Sequence, residues 1–111
     1  MITSIDVTGI KYVVDKKTLK YVMEKVGKLD RYLPAHARRT MTADVKLKQV
    51  NKDHGNKYEA EIIVHVPDRV LTASDTTFNM MAAVDIVEAK LIAQLRKYKD
   101  SLVDRKLAAS T

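Results

Sequence analysis

The sequence predicts an α+β fold with the order β-α-β-β-β-α, a four-stranded, mainly antiparallel sheet carrying two helices packed on one face. Three observations lead there. The chain has 111 residues, enough for one modest core and too few for two. Two stretches, around 19–33 and 80–102, repeat apolar residues at helical spacing. Between them, three shorter stretches carry β-branched residues or alternate with the two-residue period of strands. Helices with a single apolar stripe bury it by lying side by side against one face of a sheet, which leaves the other face wet.

The first strand is read at Ile2 to Thr8 from its β-branched content. Asp15 is placed to cap a helix whose core stripe is Leu19, Val22, Val26, Leu29 and Leu33, and the Leu33-Pro34 step ends it. From Arg39 to Val50, Met41, Ala43, Val45 and Leu47 alternate with Thr42, Asp44, Lys46 and Lys48, a strand with one wet side. Residues 51–56 hold turn chemistry, and Lys57 to Val66 resumes the alternation, so the two strands form a hairpin. Pro67-Asp68 turns the chain into a further strand at Val70 to Ser74. The short oxygens of Ser74 to Thr77 point to a helix start, with Asp75 or Thr76 as its N-cap. In the last helix Met80, Val84, Val87, Leu91, Leu95, Tyr98 and Leu102 keep one face. Running from Thr77 to about Val103, it would be roughly 40 Å long and project past the sheet. The methionines and Tyr21, Tyr32, Tyr58 and Tyr98 are expected in the core or at its edge.

Composition excludes several classes. Without cysteine there is no disulfide scaffold, thiolate zinc site, iron–sulfur cluster or cysteine nucleophile, and a reducing compartment is implied. The first residues lack a signal-peptide pattern and no window approaches a membrane span, so a cytoplasmic location and no membrane partner are expected. His36, His54 and His65 are scattered without metal-ligand spacing, and neither a metal nor a cofactor is expected. Glu59 and Glu61 share a strand face, about 7 Å apart. With no apolar pocket there to raise a pKa, they read as a solvated pair offset by Lys46 and Lys48 rather than as acid–base catalysts. The serines have no His-Asp partners nearby and no phosphate-binding glycine loop exists, so no enzyme and no small-molecule substrate are expected.

The net charge of +6 is unevenly spread. Residues 15–32 and 33–48 each carry +3 and residues 90–106 carry +4, whereas residues 67–89 carry −3. On the first helix Lys16, Lys17, Lys20, Lys28 and Arg31 oppose the apolar stripe, with Lys25 at one edge. On the last, Lys90, Gln94 and Lys97 occupy one flank, Lys99 lies on the other, and Arg96 points away from the core. Each face alone could be an ordinary solvated exterior. Two such helices beside Arg38-Arg39 point instead to a polyanion bound through its phosphates. With no Trp and one Phe, recognition of backbone and shape fits better than stacking on splayed bases.

The run Asn79-Met80-Met81-Ala82-Ala83-Val84-Asp85, continued by Lys90-Leu91 and Gln94-Leu95-x-Lys97-x-Lys99, resembles the D-M-Y-A-A-I-D and K-L-x-R-Q-L-x-K run of the ribosome hibernation factors, the ribosome-associated inhibitor A and hibernation-promoting-factor type. Lys25 to Tyr32 is similar to the basic end of that family's first helix, and the resemblance covers essentially the whole chain. It implies a ribosome-binding translation inhibitor that occupies the mRNA/tRNA channel of the small ribosomal subunit through basic helix surfaces. Carried over residue by residue, the rRNA-binding positions are Lys25, Lys28, Lys90, Lys97 and Lys99, with Gln94 and Arg31 as lesser candidates. The partners implied are the small subunit and its rRNA, with the protein monomeric off the ribosome. Ala93, Met81 and Asn79 depart from the family's Arg, Tyr and Asp, and Ala93 leaves a gap between Lys90 and Lys97. The chain looks like the short form, with residues 1–106 as a single ribosome-binding domain and 107–111 as a flexible tail. The rival is a general double-stranded-RNA-binding module, whose domain has a similar sheet with two helices on one face. A small basic phosphatase-like enzyme would close on a final strand, which is absent after Leu102.

Overall fold

The computed structural model describes residues 1–2, 4–51 and 56–110, without the side chains of 51, 56 and 103–110. The turn at 52–55, with His54, lies outside the described residues. The order is β1 (Ile5–Ile10), α1 (Lys16–Gly27), a 3-10 segment (Lys28–Tyr32), the one-turn α2 (Ala35–Arg38), β2 (Thr42–Asn51), β3 (Asn56–Val66), β4 (Arg69–Thr77) and α3 (Met80–Ser110). The four strands form one sheet in the order β1-β2-β3-β4, with β1 parallel to β2 and the rest antiparallel. The α+β class and the mainly antiparallel four-stranded sheet with its helices are as expected, and the parallel β1–β2 pairing is a feature that periodicity does not encode.

The boundaries differ where distant pairing overrides local pattern. β1 starts at Ile5, not Ile2, because pairing with β2 runs from Ile5 opposite Ala43 to Ile10 opposite Lys48. Ile2 instead enters the core, its amide donating to the Gly27 carbonyl at the end of α1 (3.0 Å). In α1 the Asp15 carboxylate accepts from the Thr18 amide at 2.7 Å, the cap expected. The buried stripe, however, is Thr18, Val22, Val26, Leu29 and Leu33, and Leu19 is 40% exposed. The smaller threonine takes the inward position that apolarity alone would assign to the leucine. After Gly27 the chain tightens into the 3-10 segment and Leu33 becomes extended (φ −116°, ψ 151°), the conformation favoured before proline.

β4 continues to Thr77, three residues past the strand read from the sequence, because Asp75, Thr76 and Thr77 still pair with Ala60, Glu59 and Tyr58. The N-cap of α3 is therefore Asn79, whose Oδ1 accepts from the amides of Met81 (2.9 Å) and Ala82 (3.2 Å). The Asn79 departure from the family's Asp is thus conservative in this role, since both residues cap well. α3 has 31 residues. It is about 46 Å long at 1.5 Å per residue, and its backbone continues through residues 107–110, where a tail was expected. The molecule measures 58 × 27 × 17 Å.

Inward side chains of the sheet, Ala43, Val45, Leu47, Ala60, Ile62 and Val64, meet Val22 and Val26 of α1 and Val84, Val87, Leu91, Leu95 and Tyr98 of α3 in one core. Removing each such Val, Leu or Ile side chain from water contributes about 1.5–3 kcal/mol. On the opposite face Lys46 pairs with Glu61 (3.9 Å), Lys48 with Glu59 (3.6 Å) and His65 with Asp44 (3.1 Å). The glutamates thus have the lysine partners foreseen for a solvated pair. Tyr98, Met41 and Met80 are buried, and Tyr21, Tyr32 and Tyr58 are packed at the core's edge, whereas Met1 is 73% exposed.

Candidate nucleic-acid interface

The stripe that buries α3 fixes which way its polar residues face. Glu88, Asp85, Arg96 and Lys99 fall on the flank towards α1, and Lys90, Gln94 and Lys97 on the flank towards β4. The side-chain contacts agree. Lys25 of α1 reaches Asp85 (3.6 Å) and Glu88 (3.7 Å), and the Tyr21 hydroxyl donates to Asp85 at 2.5 Å. The Arg96 guanidinium lies 5.6 Å from the centre of the Tyr32 ring. On the other flank Lys90 donates to the Ser74 carbonyl (3.0 Å) and sits 3.4 Å from Asp75, while the Gln94 amide donates to the Thr72 carbonyl (3.0 Å). These two side chains satisfy carbonyls of β4, an edge strand, which would otherwise offer a template for another chain.

The seven residues expected to contact rRNA therefore fall into two groups. Lys25, Lys90 and Gln94 are engaged within the fold. Lys28, Arg31, Lys97 and Lys99 are exposed, and none has an ion pair among the described residues. The structure brings Lys25, Lys28, Arg31 and Lys99 to the α1 side and Lys97 to the β4 side, so they do not converge on one spot. Lys16, Lys17 and Lys20 extend the exposed positive surface along α1. The engaged pairs are partly exposed, and such pairs contribute little, so a phosphate could replace the protein acids at small cost.

Electrostatics sharpens the seam between the helices. The Lys25 ammonium is pushed above its ordinary value, chiefly by Glu88 and then by Tyr21 and Asp85. The Tyr21 phenol is also raised, first by its hydrogen bond to Asp85 and then by burial. Both groups thus keep their protons through neutral pH. Ala93 is exposed, so its small size is not required by packing within this chain. Among the described residues no group of three or more His, Cys, Asp or Glu could hold a metal ion, and no helix is long and apolar enough to cross a membrane. What the surface offers is separated cationic donors suited to phosphate oxygens.

Sequence reasoning missed one feature. Tyr12, Tyr58 and Phe78 come together with Met81 at the start of α3, although they are far apart in the chain. The spacing of aromatic residues could not reveal it, because β3 and the loop after β1 meet only through the sheet.

Comparison with known proteins places this fold among ribosome-associated relatives. A ribosome hibernation promotion factor of Lactococcus lactis subsp. cremoris is 37% identical over 79 residues, 71% of this chain and 40% of the relative. Another, from Deinococcus radiodurans, is 34% identical over 95 residues, 83% of this chain and 47% of the relative. The chain thus spans about half the length of the curated relatives it matches. The N-terminal domain of Thermus thermophilus Protein Y superposes with a TM-score of 0.70 at 25% identity, covering 87% of this chain and 97% of that one. A ribosomal subunit interface protein from Coxiella burnetii has the same fold, with a TM-score of 0.71 at 24% identity over 88% of this chain and 99% of that one. With residues 5–103 matched to its model, the chain belongs to the Sigma 54 modulation protein / S30EA ribosomal protein family.

Proposed function

We propose that the protein is a ribosome-binding hibernation factor, one that silences translation by occupying the mRNA/tRNA channel of the small ribosomal subunit through the basic surfaces of α1 and α3. The observation that carries this is the set of exposed cations without ion pairs among the described residues, Lys28, Arg31, Lys97 and Lys99, on a chain of this family. The names of its relatives support the ribosome as partner. The rRNA contacts follow from the chemistry, since Lys and Arg heads bind phosphates without reading sequence. Such binding is a plug and needs no catalytic group.

The test is cosedimentation with purified small subunits at physiological salt. Lys97→Glu with Lys99→Glu should release the protein from the subunit with little change in melting temperature, because both side chains are exposed. Lys90 is a poorer choice for charge reversal, since a glutamate there would face the Ser74 carbonyl and Asp75. Retention of the double variant on the subunit would overturn the assignment. If an unrelated RNA duplex binds as tightly as the subunit does, the protein is a general double-stranded-RNA-binding module instead.

A further inference from the structure

Two open clefts meet at Met81. The first, about 330 Å³, is lined by Tyr12, Tyr58, Phe78, Asn79 and Met81 together with the buried Thr18. The second, about 350 Å³, is lined by Lys17, Lys20, Tyr21 and Glu24 of α1 together with Met81. Each is within the size of small-ligand sites. The aromatic half is preformed. Tyr12 and Tyr58 stand edge to face with ring centres 5.9 Å apart. Phe78 is 77% exposed, with the Lys57 ammonium 5.8 Å from its ring centre. A scattered exposed ring needs no explanation, but three aromatic rings beside a lysine-lined cleft combine the two elements that hold a single strand: a face for a base and a cation for its phosphate. Lys17 and Lys20 have no ion pair among the described residues, and Glu24 is the one acid lining that cleft.

We propose that this groove binds a single-stranded RNA segment, with one unstacked base in the Tyr12/Tyr58/Phe78 cleft and the adjoining phosphate at Lys17 and Lys20. It lies at the start of α3, away from Lys97 and Lys99 further along that helix, so it adds a second point of attachment to the one argued above. The inference deepens the ribosome-binding reading and rests on it for the choice of RNA as the polyanion. Binding discriminates little among bases, because every base has a π-face and stacking supplies the affinity. Recognition by stacking is thus available to this chain despite its single Phe and absent Trp, because the fold collects three of its six aromatics at one place.

The test uses the full chain with a fluorescein-labelled uridine decamer, read by anisotropy, alongside subunit cosedimentation. The wild type should bind the decamer. Phe78→Ala should weaken it about tenfold, the scale of one base–aromatic stack. Lys17→Gln with Lys20→Gln should weaken it and flatten the salt dependence by about 1.4 log units per log unit, at about 0.7 for each single-strand phosphate no longer neutralised. Melting temperatures establish that both variants are folded, which the exposure of all three side chains favours. No decamer binding by the wild type, equal binding by Phe78→Ala, or equal affinity for a duplex would overturn the groove. A wild type that sediments with subunits but ignores the decamer refutes the groove alone. One that binds the decamer but not subunits refutes the ribosome reading and leaves the groove standing.

Discussion

At Gly9 a side chain of any size would collide with the Tyr12 carbonyl oxygen and crowd Val14, because the loop after β1 folds back over the strand. Gly9→Ala should therefore cost about 1–3 kcal/mol, the range for forcing extra volume into a tight site, seen as a lower midpoint in urea. A stability equal to wild type would show that the loop can move away. That loop also brings Tyr12 against Tyr58, so the same substitution should weaken decamer binding. Asn79 makes a contrasting case. Its carboxamide oxygen satisfies two amides at the start of α3. Asn79→Ala should cost about 1 kcal/mol in a denaturant titration and Asn79→Asp close to nothing, because aspartate accepts the same hydrogen bonds and favours the positive end of the helix. A loss on Asn79→Asp as large as that on Asn79→Ala would contradict the cap.

The seam between α1 and α3 behaves as a unit. Tyr21 and Lys25 both have pKa values raised above their ordinary values by acids on α3, so each stabilises the fold in its protonated form. That contribution is fully present below the unfolded values, near 10 for Tyr and about 10.4 for Lys, and is lost as pH climbs through the raised folded values. The melting temperature should thus fall above about pH 10, and fall less steeply in Asp85→Asn, which removes the shared negative charge; parallel alkaline curves would sink the coupling. The elements also show what local pattern conveys. Alternation at Met41 to Leu47 reveals a strand because one face of β2 is buried and the other wet, a property of each residue's own position. The start of β1 and the end of β4 escape the pattern because those boundaries depend on partners in β2 and β3 that lie far along the chain. Leu19 belongs inside by apolarity alone, whereas the packing selects the smaller Thr18.

For the molecule as a whole, the placement of the candidate cations was half legible. Turning a helix by about 100° per residue places Lys28, Arg31, Lys97 and Lys99 on open faces, as the structure does. The same arithmetic could not show that Lys25 meets Asp85 and Glu88, or that Lys90 and Gln94 bind the edge of β4, since those partners arrive only on folding. This distinction makes salt dependence a measurement of mechanism. If the four exposed cations carry subunit binding, the slope of log affinity against log salt should be about −3 to −4, at roughly 0.7–0.9 per phosphate. If Lys25 and Lys90 also exchange their acids for phosphates, or Lys17 and Lys20 add theirs through the groove, six contacts steepen it to about −4 to −5, and the slope of the Lys17→Gln, Lys20→Gln variant separates the two. Ala93 supplies an internal standard. It is exposed between Lys90 and Lys97, so arginine there meets no atom of the core, and Ala93→Arg should leave the melting temperature unchanged while steepening the slope by at most about one unit and tightening the complex. A stable variant with weaker binding and an unaltered slope would mean that the flank of α3 carrying Lys97 faces the ribosome too closely for a longer side chain. The electrostatic row would then have to be carried by the α1 side alone, through Lys28, Arg31 and Lys99.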